Sequence, residues 1–434
     1  MSTLTVTETV RCQYEDLPYP PRNPEDDRKR LPTPALDHLG YVNHHCRAGR
    51  WNPRENARVL IAGGGTGDAT IFLAWQLRRT SAVVTHLDLS QASIDVARKR
   101  ARVCSLNNIK WIRGSLLDLP AMDLPKFDYI NSCGVLHHLE DPRAGLAALR
   151  SVLKDDGAMG LMLYAQVGRT AVYLTQDMMR RVNAGSNDSN ANLRRAESIL
   201  KVLPNTNWMK RSEDIINDHI RYGRSGIYDM FLHSQDRAYT AEQVHEFLAD
   251  AGMKMATYIP QRRFYYRPES LIRDHDLLAE IRRQPLPRQE TIMELMWGGI
   301  VKHEFWAVPA GSDTEAKLND LENVLYYPYA RLKPDLGRNL AAALAQAGNQ
   351  PVTFSGDKVT VPVQPSRLSN LVFKYIDGQR TVGEILCLVR KDCSDNPTNE
   401  AVLADFAPNY NALAGLNDQL LLAHKSVAPF YQLE

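Results

Sequence analysis

Cysteine is scarce in this chain and never paired. The six cysteines (Cys12, Cys46, Cys104, Cys133, Cys387 and Cys393) include no Cys-x-x-Cys, so neither a structural zinc site nor a disulfide framework is expected. His44, His45 and Cys46 stand side by side, an unusual spacing for metal ligands; they read as loop or core residues, and no metal is expected. A charge bias is also missing. Against 52 basic residues stand 50 acidic ones, a formal net charge of +2, which argues against a general nucleic-acid binder. No apolar run approaches the length of a membrane span. The stretch Met1–Val10 is polar and carries no apolar segment of signal-peptide type. The expectation is a cytoplasmic protein with no nucleic-acid or membrane partner. A homodimer is compatible with it.

What is present is a globular composition, 44% hydrophobic and 24% charged, over 434 residues, enough for two or three domains. Residues 11–57 read as irregular, because Pro18-Tyr19-Pro20-Pro21-Arg22-Asn23-Pro24 suits neither a helix nor a central strand. From Arg58 the pattern alternates. Val59–Ala62 reads as a strand and Asp68–Arg78 as a helix. A second strand, Ala82–Leu87, ends at Asp88, and Ser90 caps the helix that runs to Val103. Ile109–Arg113, Phe127–Ser132 and Ala158–Tyr164 read as further strands, with a helix capped by Asp141 and opened by Pro142 before the last.

Strands alternating with short helices imply a doubly wound, parallel α/β sheet. Right-handed crossovers place the C-terminal ends of the strands along one edge, where such sheets bind ligands. Beyond Tyr164, residues 167–237 read as a helical insertion with a loop over Asn183–Asn192. A capping box at Thr240–Gln243 opens a helix ending at Gly252. Met253–Tyr258 then reads as a strand, Ala279–Trp297 as a helical segment, and Val301–Val308 as the final strand of the sheet. Three units result: an N-terminal extension (1–57) covering the active site, a cofactor domain (58–309) and a small α+β unit (318–434). The last has a strand at Val359–Val363, helices at Ser369–Tyr375 and Thr381–Val389, and no catalytic constellation. It is expected to be an interaction or regulatory domain.

The chemistry is concentrated at four strand ends. Gly63-Gly64-Gly65-Thr66-Gly67 follows the first strand, where glycine lets backbone approach a ligand closely and the next helix offers free N–H groups. Asp88 closes the second strand, placed to accept two ribose hydroxyls. Gly114-Ser115-Leu116 follows the third strand. Ser132-Cys133-Gly134-Val135-Leu136-His137-His138-Leu139 follows the fourth.

In this succession the chain resembles the class I S-adenosylmethionine-dependent methyltransferases, closely over residues 58–165 and again at Val301–Val308. The resemblance implies a Rossmann-like seven-stranded methyltransferase sheet with S-adenosyl-L-methionine as methyl donor. It implies that Gly63, Gly65 and Gly67 approach the methionine part and ribose, and that Asp88 holds the ribose hydroxyls. Leu89 would pack on adenine, Ser115 and Leu116 would line its edge, and Cys133 and Gly134 would lie near the sulfonium. Two departures stand out. The family has an acid two residues before the first glycine, where this chain has Ile61, so one polar anchor for the cofactor's amino group is lost. Ser115 replaces the usual Asp of the adenine turn.

The acceptor atom is open: O, N or C. His137 or His138 would serve as a base where the acceptor arrives protonated, or both are hydrogen-bonded supports. Tyr14, Tyr19, His233, Gln235, Asp236 and Arg237 are further candidates for the acceptor pocket, with Arg237 either binding a carboxylate or pairing with Asp236. Cys133 lacks a basic partner and reads as a packing residue. The layout also looks like a bacterial subgroup with an additional C-terminal domain, marked by Tyr14–Arg22 and Asp229–Thr240. Two other readings stay open: an aminopropyltransferase-like enzyme of the same fold, and a non-catalytic cofactor-binding scaffold.

Overall fold

The computed structural model describes residues 6–186, 188–233, 235–328, 335–356 and 359–430. Its centre is one mixed sheet. The strands are β1 (Arg58–Ala62), β2 (Val83–Asp88), β3 (Ile109–Arg113), β4 (Phe127–Cys133), β5 (Leu153–Ala165), β6 (Ala238–Tyr239), β7 (Met253–Tyr258) and β8 (Lys302–Pro309). They run in the order β3-β2-β1-β4-β5-β8-β7, with β6 pairing β5 off that path. The first five are parallel, and β8 lies antiparallel between β5 and β7. This is the expected Rossmann-like seven-stranded sheet, with the two-residue β6 paired to the C-terminal end of the central β5.

Alternation along β1 feeds two cores, as the two-residue period of a strand requires. Leu60 and Ala62 join Ile130, Leu161 and Phe305 on one face. Val59 and Ile61 join Tyr129, Trp306 and Val308 on the other. Each large side chain taken fully from water contributes roughly 1.5–3 kcal/mol.

The leader, read as irregular over 11–57, contains two helices: α1 (Val6–Asp16) and α2 (Leu39–Cys46). The prolines break only the stretch between them. Leu39, Tyr41 and Val42 of α2 are buried against the sheet, and that packing overrides the weak local pattern. The helices α3 (Asp68–Gln76), α4 (Gln91–Val103) and α5 (Pro142–Ser151) follow the expected caps, with Ser90 accepting from the Ser93 N–H and Asp141 from those of Arg143 and Ala144.

Three local expectations differ from the structure. The fifth strand starts earlier, at Leu153, across an irregularity opposite Phe127. Asn183–Asn192 is not all loop. After α6 (Thr170–Val182), α7 (Ser189–Val202) begins inside that stretch, because Asp188 caps it by accepting from the Ala191 N–H. The segment Ala279–Trp297 belongs to two helices, His275–Arg282 and Leu286–Trp297. Pro285 and Pro287 remove the N–H groups that would have joined them.

Past residue 318 the chain gathers on a core of its own around Phe373, Leu386, Val402 and Phe406. It holds the antiparallel pair β9 (Asn323–Tyr326) and β12 (Leu421–His424), and the hairpin β10 (Val352–Gly356) with β11 (Val359–Val363). Its helices are Leu336–Gln346, Arg367–Tyr375, Val382–Asp392 and Asn399–Asn417. The capping box at Thr381–Glu384 is formed, as is that at Thr240–Gln243. Among the described residues, no helix is long and apolar enough to cross a membrane.

Candidate active site

One cavity of about 630 Å³ opens along the C-terminal edge of β1–β4, a volume suited to a cofactor-sized ligand. At one end it is built from the glycine turn. Gly63 and Gly67 have φ of +80° and +100°, values that L side chains rarely adopt. A Cβ on Gly63 would lie 2.4 Å from Val135 Cγ2, and one on Gly67 would lie 2.8 Å from Ala97 Cβ. Both conformation and space demand glycine.

Asp88 braces this turn. Its Oδ2 accepts from the Gly65 N–H at 2.7 Å and its Oδ1 from the Ser90 N–H at 2.8 Å. Burial raises its pKa, and those two amides oppose the rise. Each oxygen keeps a lone pair for a ligand hydroxyl. Leu89, Ser115, Leu116, Cys133 and Gly134 line the same cavity, together with Gly63, Gly65, Gly67 and Asp88. The structure therefore brings all nine candidate cofactor residues to one space. Ser115 also caps the short helix Leu116–Ala121, accepting from the Leu117 N–H at 3.2 Å. Cys133 is not a packing residue: it is accessible from the cavity. Its enclosed setting pushes the thiol up to about 12, so no thiolate nucleophile is available.

The two histidines are separated in role. His137 is fully buried beneath Tyr164, ring centroids 3.8 Å apart, and neither of its ring nitrogens has a hydrogen-bond partner. Burial, then His138 and Arg169, hold its pKa well below the imidazole range. It does not line the cavity, so of the two candidate bases only His138 faces it. Its Nδ1 lies 2.8 Å from the Gln235 carbonyl. A carbonyl only accepts, so Nδ1 is the donor, and in the neutral ring Nε2 keeps a lone pair. The ring stacks on His233, centroids 3.8 Å apart.

Polar groups from the leader, the sheet and the insertion line the rest of the cavity, beside the apolar Ile215 and Ile216. Tyr14 donates to Asp229 Oδ1 at 3.1 Å, and the Tyr164 hydroxyl reaches Asp229 Oδ2 at 3.5 Å. Burial raises the Asp229 pKa. The Arg169 guanidinium lies 3.5 Å over the Tyr164 ring, and its Nη2 is 3.5 Å from Asp236 Oδ2. Its Nε and Nη2 lack hydrogen-bond partners. Of the other acceptor candidates, Tyr14 and Tyr19 line the cavity. His233, Gln235 and Asp236 stand behind it as supports. Arg237 turns toward the Tyr239 ring, and Asp236 takes Arg169 as its cation. Asp229, Arg169 and Asp37 escaped sequence reasoning as site residues. The run from Asp229 was visible as a motif, but nothing in it said that Tyr14 would close onto it.

His44, His45 and Glu315 offer ligand atoms within 4.8 Å of one another. The Leu422 N–H donates to His44 Nδ1 at 3.0 Å, which leaves the proton on Nε2, and His45 Nε2 is shared by Asp418 and Arg263. His44 Nε2 itself has no hydrogen-bond partner among the described residues.

Residues 60–159 match the model of a methyltransferase domain. Over 310 residues the chain is 29% identical to an uncharacterized protein of Synechococcus, covering 70% of this chain and 72% of that protein. Over 170 residues it is 29% identical to the mitochondrial ubiquinone biosynthesis O-methyltransferase of Schizosaccharomyces pombe, covering 37% of this chain and 56% of that enzyme. The chain thus spans little more than half of the curated methyltransferase. Its fold is similar to that of PKMT2 from Rickettsia typhi, solved in complex with AdoHcy. The TM-score is 0.61 at 16% identity, over 90% of this chain and 76% of that one.

Fold and glycine-turn geometry together define a Rossmann-like methyltransferase domain. Residues 60–159 are thus a methyltransferase domain, and the chain is similar in sequence and fold to methyltransferases. The aminopropyltransferase and scaffold readings are not favoured.

Proposed function

We propose that this enzyme methylates an acceptor seated in the leader-and-insertion end of the cavity, while the glycine-turn end holds the adenosyl group. One observation carries the reading: a single continuous cavity joins Gly63–Gly67 and Asp88 to Tyr14, Tyr19, His138, Arg169 and Asp229. S-adenosyl-L-methionine, when bound there, would supply a methyl group on a sulfonium, already activated for in-line displacement. The protein has to align the acceptor and keep water out. Tyr14, Tyr19 and Tyr164 wall off solvent. Arg169 orients an anionic or hydrogen-bonding group of the acceptor. His138 Nε2 receives the acceptor proton where the acceptor is protonated. The acceptor is a small molecule or a protein group bearing O, N or C. The O-methyltransferase name of the fission-yeast relative puts oxygen first. We further propose that no nucleic acid or membrane takes part, that the enzyme works in the cytoplasm as a monomer or homodimer, and that the C-terminal unit is an interaction domain.

Two measurements test this. Transfer of labelled methyl to cell extract, sorted into protein and small-molecule fractions, is expected to label one fraction. Asp88→Ala is expected to abolish S-adenosylmethionine binding in calorimetry while the circular dichroism spectrum is unchanged. Each hydrogen bond to a charged group is worth roughly 1.5–3 kcal/mol, so losing two weakens binding about 100-fold or more. Wild-type affinity in that variant would remove the ribose from Asp88.

A further inference from the structure

The floor of the cofactor end holds an acid that its strand does not supply. Ile61 of β1 is in register with Asn131 of β4, so their side chains share one face of the sheet. On that face Asn131 Nδ2 donates to Asp37 Oδ1 at 2.8 Å, and the Tyr129 hydroxyl reaches the same oxygen at 3.3 Å. Asp37 belongs to the leader, in the short turn Ala35–Asp37 that precedes α2. It is 1% exposed, yet it lines the cavity beside Ile61 and Gly63. Both of its side-chain hydrogen bonds fall on Oδ1; Oδ2 accepts from none of the described residues. Among those residues it has no cation as partner, and the charge felt most is that of another acid, Asp68.

A buried carboxylate without a cation is costly. Its retention is not explained by tethering the leader, because other groups do that. Trp306 Nε1 donates to the Leu36 carbonyl at 2.8 Å, Tyr129 to the same carbonyl at 2.7 Å, and Gln76 Nε2 to the Asp37 backbone carbonyl at 2.8 Å. The carboxylate is left over, open to the cavity on one oxygen. We propose that Asp37 binds the α-ammonium group of the cofactor's methionyl end, replacing from the leader the acid that β1 lacks at Ile61. The inference rests on the cofactor reading of the cavity. It gives the leader a part in donor recognition as well as in covering the site. Burial raises the ligand-free carboxyl to about 7, against the pull of Asn131 and Tyr129. A bound ammonium would favour the ionised form.

Calorimetry on the full chain tests the anchor with two probes. One is S-adenosylhomocysteine. The other is S-(5′-adenosyl)-4-thiobutyrate, which keeps the carboxylate and lacks only the amino group. Asp37→Asn preserves shape and an Oδ1 acceptor, and is expected to weaken S-adenosylhomocysteine about 10- to 100-fold. It is expected to leave the deaminated probe within about threefold of the wild-type enzyme. Thermal unfolding of each ligand-free variant checks folding, and Asp37→Asn remains interpretable even where Asp37→Ala fails to fold. Equal losses for the two probes, or no loss for either, would overturn the anchor while leaving the cofactor site standing. Wild-type protein that binds neither probe would overturn the cofactor reading, and the anchor with it.

Discussion

At the scale of single residues, the site depends on conformations and charges that few side chains tolerate. Gly63→Ala places a Cβ 2.4 Å from Val135 Cγ2 at a φ of +80°. Strain of that kind costs roughly 1–3 kcal/mol and shifts the turn that meets the ligand. Chemical denaturation is expected to show that loss, and calorimetry a collapse of cofactor affinity larger than the stability loss alone would give. Asp37 makes a prediction about pH. Its pKa is raised to about 7 in the ligand-free protein, against roughly 3.9 in an unfolded chain. Between those values the folded state holds a proton that the unfolded state has released, so stability falls as pH rises through that window. Asp37→Asn lacks this term. Its unfolding temperature is expected to gain on the wild-type value steadily from pH 5 to pH 7.5. Ligand binding runs the other way, because only the ionised carboxyl pairs with an ammonium. S-adenosylhomocysteine affinity of the wild-type enzyme is expected to rise with pH toward about 7.5, and that of Asp37→Asn to stay flat. A flat wild-type profile would mean that Asp37 and the ammonium do not meet.

At the scale of elements, α4 is the post to which the leader is tied. Arg100 is fully buried and grips Asp27 with both oxygens, Nε to Oδ2 at 2.7 Å and Nη2 to Oδ1 at 3.0 Å. Its Nη1 donates to Asp68 Oδ1 at 2.6 Å and to the Thr66 carbonyl at 2.9 Å, so one side chain joins leader, α3 and glycine turn. Next to Tyr14 of the cavity wall, Glu15 accepts from the Gln91 and Ala92 N–H groups at the start of α4, where negative charge suits the helix dipole. Arg100→Met leaves Asp27 buried without its cation, a loss of about 3–5 kcal/mol. Limited proteolysis is expected to cut the leader of that variant first, at residues 20–34, while the sheet resists. Very little of this was legible in the sequence. The glycine turn, Asp88 and Ser90 announce themselves because local rules fix them: a left-handed φ, a strand end, a helix cap. The strands β1 to β4 and β7 were legible for the same reason, since apolar periodicity is a local signal. Asp27, Asp37 and Arg100 take their meaning from partners 32 to 94 positions away, and no spacing rule covers such distances. Likewise α2 looked irregular because its burial, not its helix propensity, holds it.

At the scale of the whole molecule, one buried charge cluster ties the C-terminal unit to both other parts. Asp418, at the end of the helix Asn399–Asn417, is fully buried and adopts a left-handed φ of +48°. Its Oδ1 accepts from Arg263 Nη1 at 3.0 Å and lies 2.9 Å from His45 Nε2. Arg263 follows β7, and His45 sits on α2 of the leader, so the cluster spans all three units. Arg263 also donates to the carbonyls of Ala414 and Gly415 at 3.1 Å and of Tyr258 at 3.0 Å. These contacts spread its charge but leave it dependent on one carboxylate. The pair holds the Asp418 pKa far below the ordinary carboxylate range, against the burial that raises it. A depressed folded pKa means that the stability it contributes is present above the unfolded value, roughly 3.9, and is lost as pH falls from there. The wild-type protein is therefore expected to lose stability steeply below about pH 4. In Asp418→Asn, Arg263 stays buried without its anion, so a loss of about 3–5 kcal/mol is expected at pH 7. The same variant has no carboxyl to titrate, and its stability is expected to change less between pH 4 and pH 3 than that of the wild-type protein. Paired denaturation curves at pH 7, 4 and 3 read both effects. A parallel acid response in the two proteins would show that the coupling of the C-terminal unit to sheet and leader does not reside in this cluster.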